Sequence, residues 1–123
     1  MALPELAPEP RNLIDGELVD ASDGGTFDNV NPAAGKVSGV AANATPEDME
    51  RAVAAARRSF DETDWANDPE LRSRCLRQLY EGLLEEKEQL RSIVVHEAGA
   101  PVSLTGFMHV DDPIEMVSYW ADL

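Results

Sequence analysis

The spacing of turn residues is the feature that most constrains how this chain can fold. In its first third, Asp15-Gly16, the Gly-rich stretch 22–26 and Asn31-Pro32-Ala33-Ala34-Gly35 interrupt the chain at short intervals. Leu13-Ile14 and Leu18-Val19 flank Asp15-Gly16, the pair that best tolerates positive φ at both central turn positions, so a tight hairpin is expected there. Residues 27–30 read as another short strand. At 31–35 Pro fixes one turn angle and Gly frees another. Residues 36–42, with Val37 and Val40, then read as the next strand.

Further on, the pattern takes a helical period. Thr45 is a good N-cap, Pro46 suits the first helical position, and Glu47 and Asp48 favour the positive end of the helix dipole. Met49, Ala52, Val53, Ala56 and Phe60 follow as one amphipathic stripe that fades near Asp64-Trp65. Asp68-Pro69-Glu70 repeats the start signal. Leu71, Cys75, Leu79 and Leu83 form a ridge, with Leu76 and Tyr80 beside it. Glu85-Glu86-Lys87-Glu88 marks a bend. Leu90, Ile93, Val94 and Val95 carry a third helix that Gly99 ends, with Pro101 beyond. A loop containing Gly106 and His109 leads to Asp112-Pro113, which opens a last helix with Ile114, Val117 and Trp120 inward. The expected fold class is α+β, N-terminal β-hairpins followed by about four helices. A length of 123 residues admits one domain, spanning 11–123 behind a flexible leader, residues 1–10.

Net charge is −14, from 24 acids and 10 bases. Nucleic-acid backbones and anionic membrane surfaces repel such a surface, so neither is an expected partner. No apolar run approaches the ~20 residues that span a bilayer. Cys75 is the single cysteine, which excludes an internal disulfide and fits a reducing, cytoplasmic compartment.

Few residues offer chemistry. Cys75 falls on an apolar helical ridge, where a thiol acts as a small hydrophobe rather than a nucleophile. His96 suits a helix C-terminus. His109 with Asp111 and Asp112 suggests a metal ligand set, but three or four converging ligands are needed and no second cluster is visible. Gly24-Gly25 and Gly35 lack the strand-then-helix setting of a phosphate cradle. Trp65 and Trp120 read as packing residues. No catalytic, cofactor-binding or metal-binding residue is assigned.

Six strings, taken in order, resemble the N-terminal segment of the NAD(P)-dependent aldehyde dehydrogenase superfamily. Ile14-Asp15-Gly16-Glu17 looks like its hairpin entry, and Asn31-Pro32-Ala33-Ala34-Gly35 like its N-P-x-x-G turn. Asp48 with Ala52-Val53-Ala54-Ala55-Ala56 is similar to its D-x-x-x-A-V-x-A-A helix. Residues 74–84 are similar to its R-x-x-x-L-x-x-x-x-x-L helix, Glu97-Ala98-Gly99-Ala100-Pro101 to its E-x-G-K-P turn, and Tyr119-Trp120-Ala121 to its closing aromatic pair. Ala100 departs from the usual Lys, and Pro113 is not expected in the family. Asp111 is the nearest positional match to the acidic loop at which some members hold a monovalent cation.

The resemblance implies oxidation of an aldehyde to a carboxylic acid with NAD or NADP in the full-length family. It also implies that the Rossmann core, the nucleophilic cysteine and the catalytic carboxylate lie downstream of the segment matched here. The chain is then a truncated N-terminal domain, inert on its own. Two alternatives are one half of a split enzyme completed by a separate catalytic chain, and a non-enzymatic interaction domain. Where the family's cofactor domain is missing, some of Val94, Ile114, Val117 and Trp120 are expected to be exposed, with self-association as a result.

Overall fold

A computed structural model describes residues 9–123. The leader expected at 1–10 lies outside the described residues except for Glu9 and Pro10. Those two are anchored. The Pro10 carbonyl accepts from the Ala42 amide at 2.7 Å, and Glu9 pairs with Arg11.

The chain runs through β1 (Asn12–Ile14), β2 (Glu17–Val19), β3 (Thr26–Asn31) and β4 (Lys36–Ala42) into five helical segments: α1 (Pro46–Glu62), α2 (Pro69–Glu85), α3 (Lys87–Ala98), the single turn α4 (Val102–Leu104) and α5 (Asp111–Ala121). The α+β class and the hairpins-then-helices order are as expected. Each hairpin is a separate two-stranded antiparallel sheet. In the first, Asp15 and Gly16 both have positive φ, 56° and 80°, the geometry whose twist matches the strands it joins. In the second, the Asn31 side chain accepts from the Ala33 and Ala34 amides at 2.9 and 3.0 Å. Gly35 takes φ 64°, and its amide reaches the Asn31 carbonyl at 2.8 Å. The register slips after Asn29, which leaves Ser38 unpaired. Its hydroxyl donates to the Asn29 carbonyl at 3.0 Å.

Asp48 fixes how the hairpins meet α1. Thr45 and Asp48 form a reciprocal capping box. The same carboxylate accepts from the Ser22 amide at 3.0 Å and the Thr45 amide at 2.9 Å. The Thr45 hydroxyl donates to it as well, at 3.0 Å. Its side chain is buried. The chain leaving β2 and the first turn of α1 are thus held by one charge.

The C-terminal helices pack more closely. Asp68 caps α2 through the Leu71 amide at 2.8 Å, and Arg72 reaches back to the Trp65 carbonyl at 2.7 Å, closing the 3-10 turn Asp64–Ala66 onto α2. α5 lies along α2. Ser73 donates to the Ala121 carbonyl at 2.6 Å, Tyr80 to Glu115 at 3.1 Å, and Arg77 pairs with Asp122. Gly99 ends α3 in the left-handed region, φ 66°, and a Cβ there would sit 2.8 Å from the Pro32 ring. The turn at 31–35 therefore rests against the end of α3. Two strings far apart in the sequence touch at this point.

Three expectations change. Of the residues expected to lose their cover, Ile114 is buried and Val94 and Val117 are half-buried, whereas Trp120, expected inward on α5, is 56% exposed and Ala121 is buried. At about 100° per residue, Trp120 lies about 120° round the helix from Ile114, and Ala121 only about 20°. The inward stripe is therefore centred on Ile114 and Ala121. Secondly, the stretch expected as a loop is helical: a π-helical turn, Thr105–His109, follows α4 directly. Thirdly, the described residues leave the α1 stripe uncovered, since Met49, Val53 and Phe60 are exposed.

Two outcomes test these contacts. Bonds from the Ser22 and Thr45 amides pull the Asp48 carboxyl down to about 2, against about 3.9 in an unfolded chain. A depressed folded pKa gives stability that is full above the unfolded value and is lost as pH falls from about 4 through about 2. In urea titrations Asp48→Asn should therefore be less stable than the parent at pH 7, and the gap should narrow across that window. Gly99→Ala must adopt positive φ and push Pro32 aside, so it should destabilise by about 1–3 kcal/mol in the same assay.

Candidate functional site

Besides the Asp48 cap, the described residues hold a second buried polar cluster, and hollows open beside α1 and between the C-terminal helices. The cluster centres on Arg91, buried near the start of α3. Its guanidinium donates to the Thr105 hydroxyl and to Asp111, each at 2.7 Å, and pairs with Glu88 at 3.2 Å. Glu88 and then Asp111 strengthen its hold on the proton. Thr105 passes its own proton to the Val102 carbonyl at 2.7 Å. Lys87 stands 3.9 Å from Asp111. The cluster thereby ties α3 to α4, the π turn and α5. Each member has an opposite charge or a donor beside it.

Arg91 carries no expected role from the sequence. A local signal existed: Glu88 stands three residues before it, the spacing of a helical ion pair, and its neighbours Leu90, Ile93 and Val94 are apolar. Asp111 is the residue placed nearest to a metal-binding role, and the structure gives it to Arg91. Among the described residues no group of three or more His, Cys, Asp or Glu side chains is placed to hold a metal. His96 Nδ1 lies 2.8 Å from the Ser92 carbonyl. Cys75 is half-buried on α2 rather than fully buried.

One hollow, of about 300 Å³, opens between α2, α3 and α5. Leu83, Leu90, Val94, Ile114 and Val117 line it, with His109 at its edge. The other, of about 350 Å³, lies between the first hairpin and α1. The first is mostly apolar apart from His109, and Asp15 and Ser59 add polar groups to the lining of the second.

The places where an anion could bind are closed by acids. The Gly25 amide is taken by Asp23 at 2.7 Å, and that carboxylate also stands where a Cβ of residue 25 would be. The first turns of α1, α2, α3 and α5 carry Glu47 and Asp48, Glu70, Glu88, and Asp111 and Asp112. A pyrophosphate needs free amides and a positive field at such an end. The described residues do not fit a dinucleotide. Among the described residues no helix is long and apolar enough to cross a membrane.

Residues 18–123 match the aldehyde dehydrogenase family. DhaS of Bacillus subtilis (strain 168), named as an aldehyde dehydrogenase, is 34% identical over 109 residues, which is 88% of this chain and 22% of that protein. The mitochondrial benzaldehyde dehydrogenase of Antirrhinum majus is 31% identical over 89% of this chain and 21% of its own length. Among solved structures, the gamma-glutamyl-gamma-aminobutyraldehyde dehydrogenase of Burkholderia cenocepacia J2315 superposes with a TM-score of 0.89 at 35% identity, over 95% of this chain and 24% of that one. The betaine aldehyde dehydrogenase of Staphylococcus aureus, in complex with NAD+, superposes at 0.85 and 30% identity over 92% and 22%. The chain thus spans about a fifth to a quarter of these relatives.

Ala100, the departure from the family's usual Lys, is buried. The cluster beside it gives the clearest stability test. Arg91→Leu leaves the buried Thr105 hydroxyl without its donor and Asp111 without its nearest cation. It should cost about 1–3 kcal/mol by urea unfolding, with α5 losing amide protection before α2.

Proposed function

The chain belongs to the aldehyde dehydrogenase family, and from that premise we propose that it forms the N-terminal section of an NAD- or NADP-dependent enzyme oxidising an aldehyde to a carboxylic acid. One observation carries the reading. Over 92–95% of its length the backbone follows dehydrogenases of which it makes up only 22–24%. The chain's part is that of a framework: two hairpins and a helical cluster that present apolar faces. The thiolate, the carboxylate that activates water and the nucleotide site belong to polypeptide outside the matched region. No step of the oxidation is assigned to the residues described above. Cys75, half-buried on α2, is read as structural. The single thiol and the acidic surface support a cytoplasmic setting.

The reading makes two linked predictions. Purified chain, titrated with NAD+ and with NADP+ while Trp fluorescence and heat are followed, should show no saturable binding tighter than about 1 mM, roughly −4 kcal/mol. It should produce no NADH from betaine aldehyde or benzaldehyde. Adding a polypeptide that carries the remaining dehydrogenase sequence, fused or separate, should restore turnover. Saturable cofactor binding by the chain alone would overturn the framework role.

A further inference from the structure

Asp111 is the position at which the family resemblance implies a monovalent cation. Whether one fits is decided by the oxygens around it, because a hard cation is held by several converging oxygen ligands. Asp111 Oδ1 accepts from Arg91 Nη2 at 2.7 Å, and Lys87 Nζ stands 3.9 Å from the same atom. Oδ2 lies 3.8 Å from where a Cβ of residue 106 would stand, beside Gly106 of the π turn. Thr105 Oγ1 accepts from Arg91 Nη1 at 2.7 Å and gives its own proton to the Val102 carbonyl. Both Glu88 oxygens accept from Arg91 Nε at 3.3 Å. Three side chains that could supply oxygens to an ion are thus turned on one guanidinium.

The residues present do not fit a bound cation. An ion at Asp111 would enter beside two fixed positive charges, and like charges this close repel. The guanidinium itself has what such a place needs. It is charged at every pH the fold survives, and its planar fork of donors can meet several oxygens at once. Arg91 is buried, so these bonds are little weakened by water.

We propose that the Arg91 guanidinium is a built-in substitute for the cation at Asp111, so that α3, the π turn and α5 are tied together without a bound alkali ion. An exchangeable ion stabilises a fold only according to its concentration. A cation carried on α3 is present at fixed stoichiometry. The proposal goes beyond the framework role and concerns this chain alone, so its failure would leave that role standing.

Thermal melting in chloride salts of sodium, potassium and tetramethylammonium, each at about 0.15 M, tests it. Equal ionic strength gives equal screening of the −14 charge. The native chain should melt within about 1 °C in all three salts. A melting temperature at least about 3 °C higher in sodium or potassium would reveal a bound ion and overturn the proposal. Arg91→Ala leaves the Asp111, Glu88 and Thr105 oxygens around a space. It should melt below the native chain and gain at least about 3 °C when sodium or potassium replaces tetramethylammonium. A folded Arg91→Ala chain that is indifferent to the salt would show that the guanidinium replaces no ion, and would overturn the proposal. Arg91→Lys keeps a positive charge and should stay indifferent. A response equal to that of Arg91→Ala would trace the salt effect to a loosened fold and would also count against it. If Arg91→Ala does not fold, the sodium NMR line width in the presence of the native chain decides. A line that potassium narrows no more than tetramethylammonium does sustains the proposal, and narrowing specific to potassium overturns it.

Discussion

The arrangement of the N-terminal half depends on where the Asp48 carboxylate finds its hydrogen bonds. Around it the chain has no large apolar core, and Ile14 and Ala21 are its buried apolar residues. A buried carboxylate must be met by donors or become neutral. Here two amides and two hydroxyls, from Ser22 and Thr45, meet it. The directions of those bonds set the angle at which the chain enters α1. The exposed face of α1 is placed by the same contact.

The C-terminal half repeats this logic with the charges reversed. Arg91 is buried and acids converge on it. Apolar burial in this half is modest, resting on Ala100, Val110, Ile114 and Ala121. Polar ties, Ser73 to Ala121 and Tyr80 to Glu115, hold α2 against α5. Such ties fix direction better than they fix total stability, because each hydrogen bond replaces one made to water. A chain organised in this way can keep a defined backbone and still leave apolar faces free for another polypeptide.

What could be read from the sequence was what is local. Asp15-Gly16 and Thr45-Pro46 act within four residues, and both form as their chemistry requires. Asp48 could be read as a helix-start acid. Its bond to Ser22 could not, because the partner lies 26 residues away. Trp120 was placed inward because large aromatics are usually buried, although its angle on the helix puts it outside. Thr105 and Gly106 look like helix breakers, yet the π turn forms because the buried Thr105 hydroxyl has both Arg91 and the Val102 carbonyl to bond. For the site, the sequence supported only the statement that reactive residues do not converge. Glu88 is a local partner of Arg91, whereas Thr105 and Asp111 lie 14 and 20 residues away and carry no local signal.

The contact between Gly99 and Pro32 also sets an order of assembly. The hairpin that carries Pro32 leaves the ribosome about 70 residues before the end of α3 that it rests on. At 5–20 residues per second, that is a wait of roughly 3–14 s. A two-stranded hairpin alone in water is marginal. It must form, reopen and form again many times before its support has been synthesised. The second hairpin is therefore among the earliest elements to begin folding and among the last to be secured. During that interval its exposed strand edges, rather than its sequence, decide whether a nascent chain meets its own α3 or a neighbour.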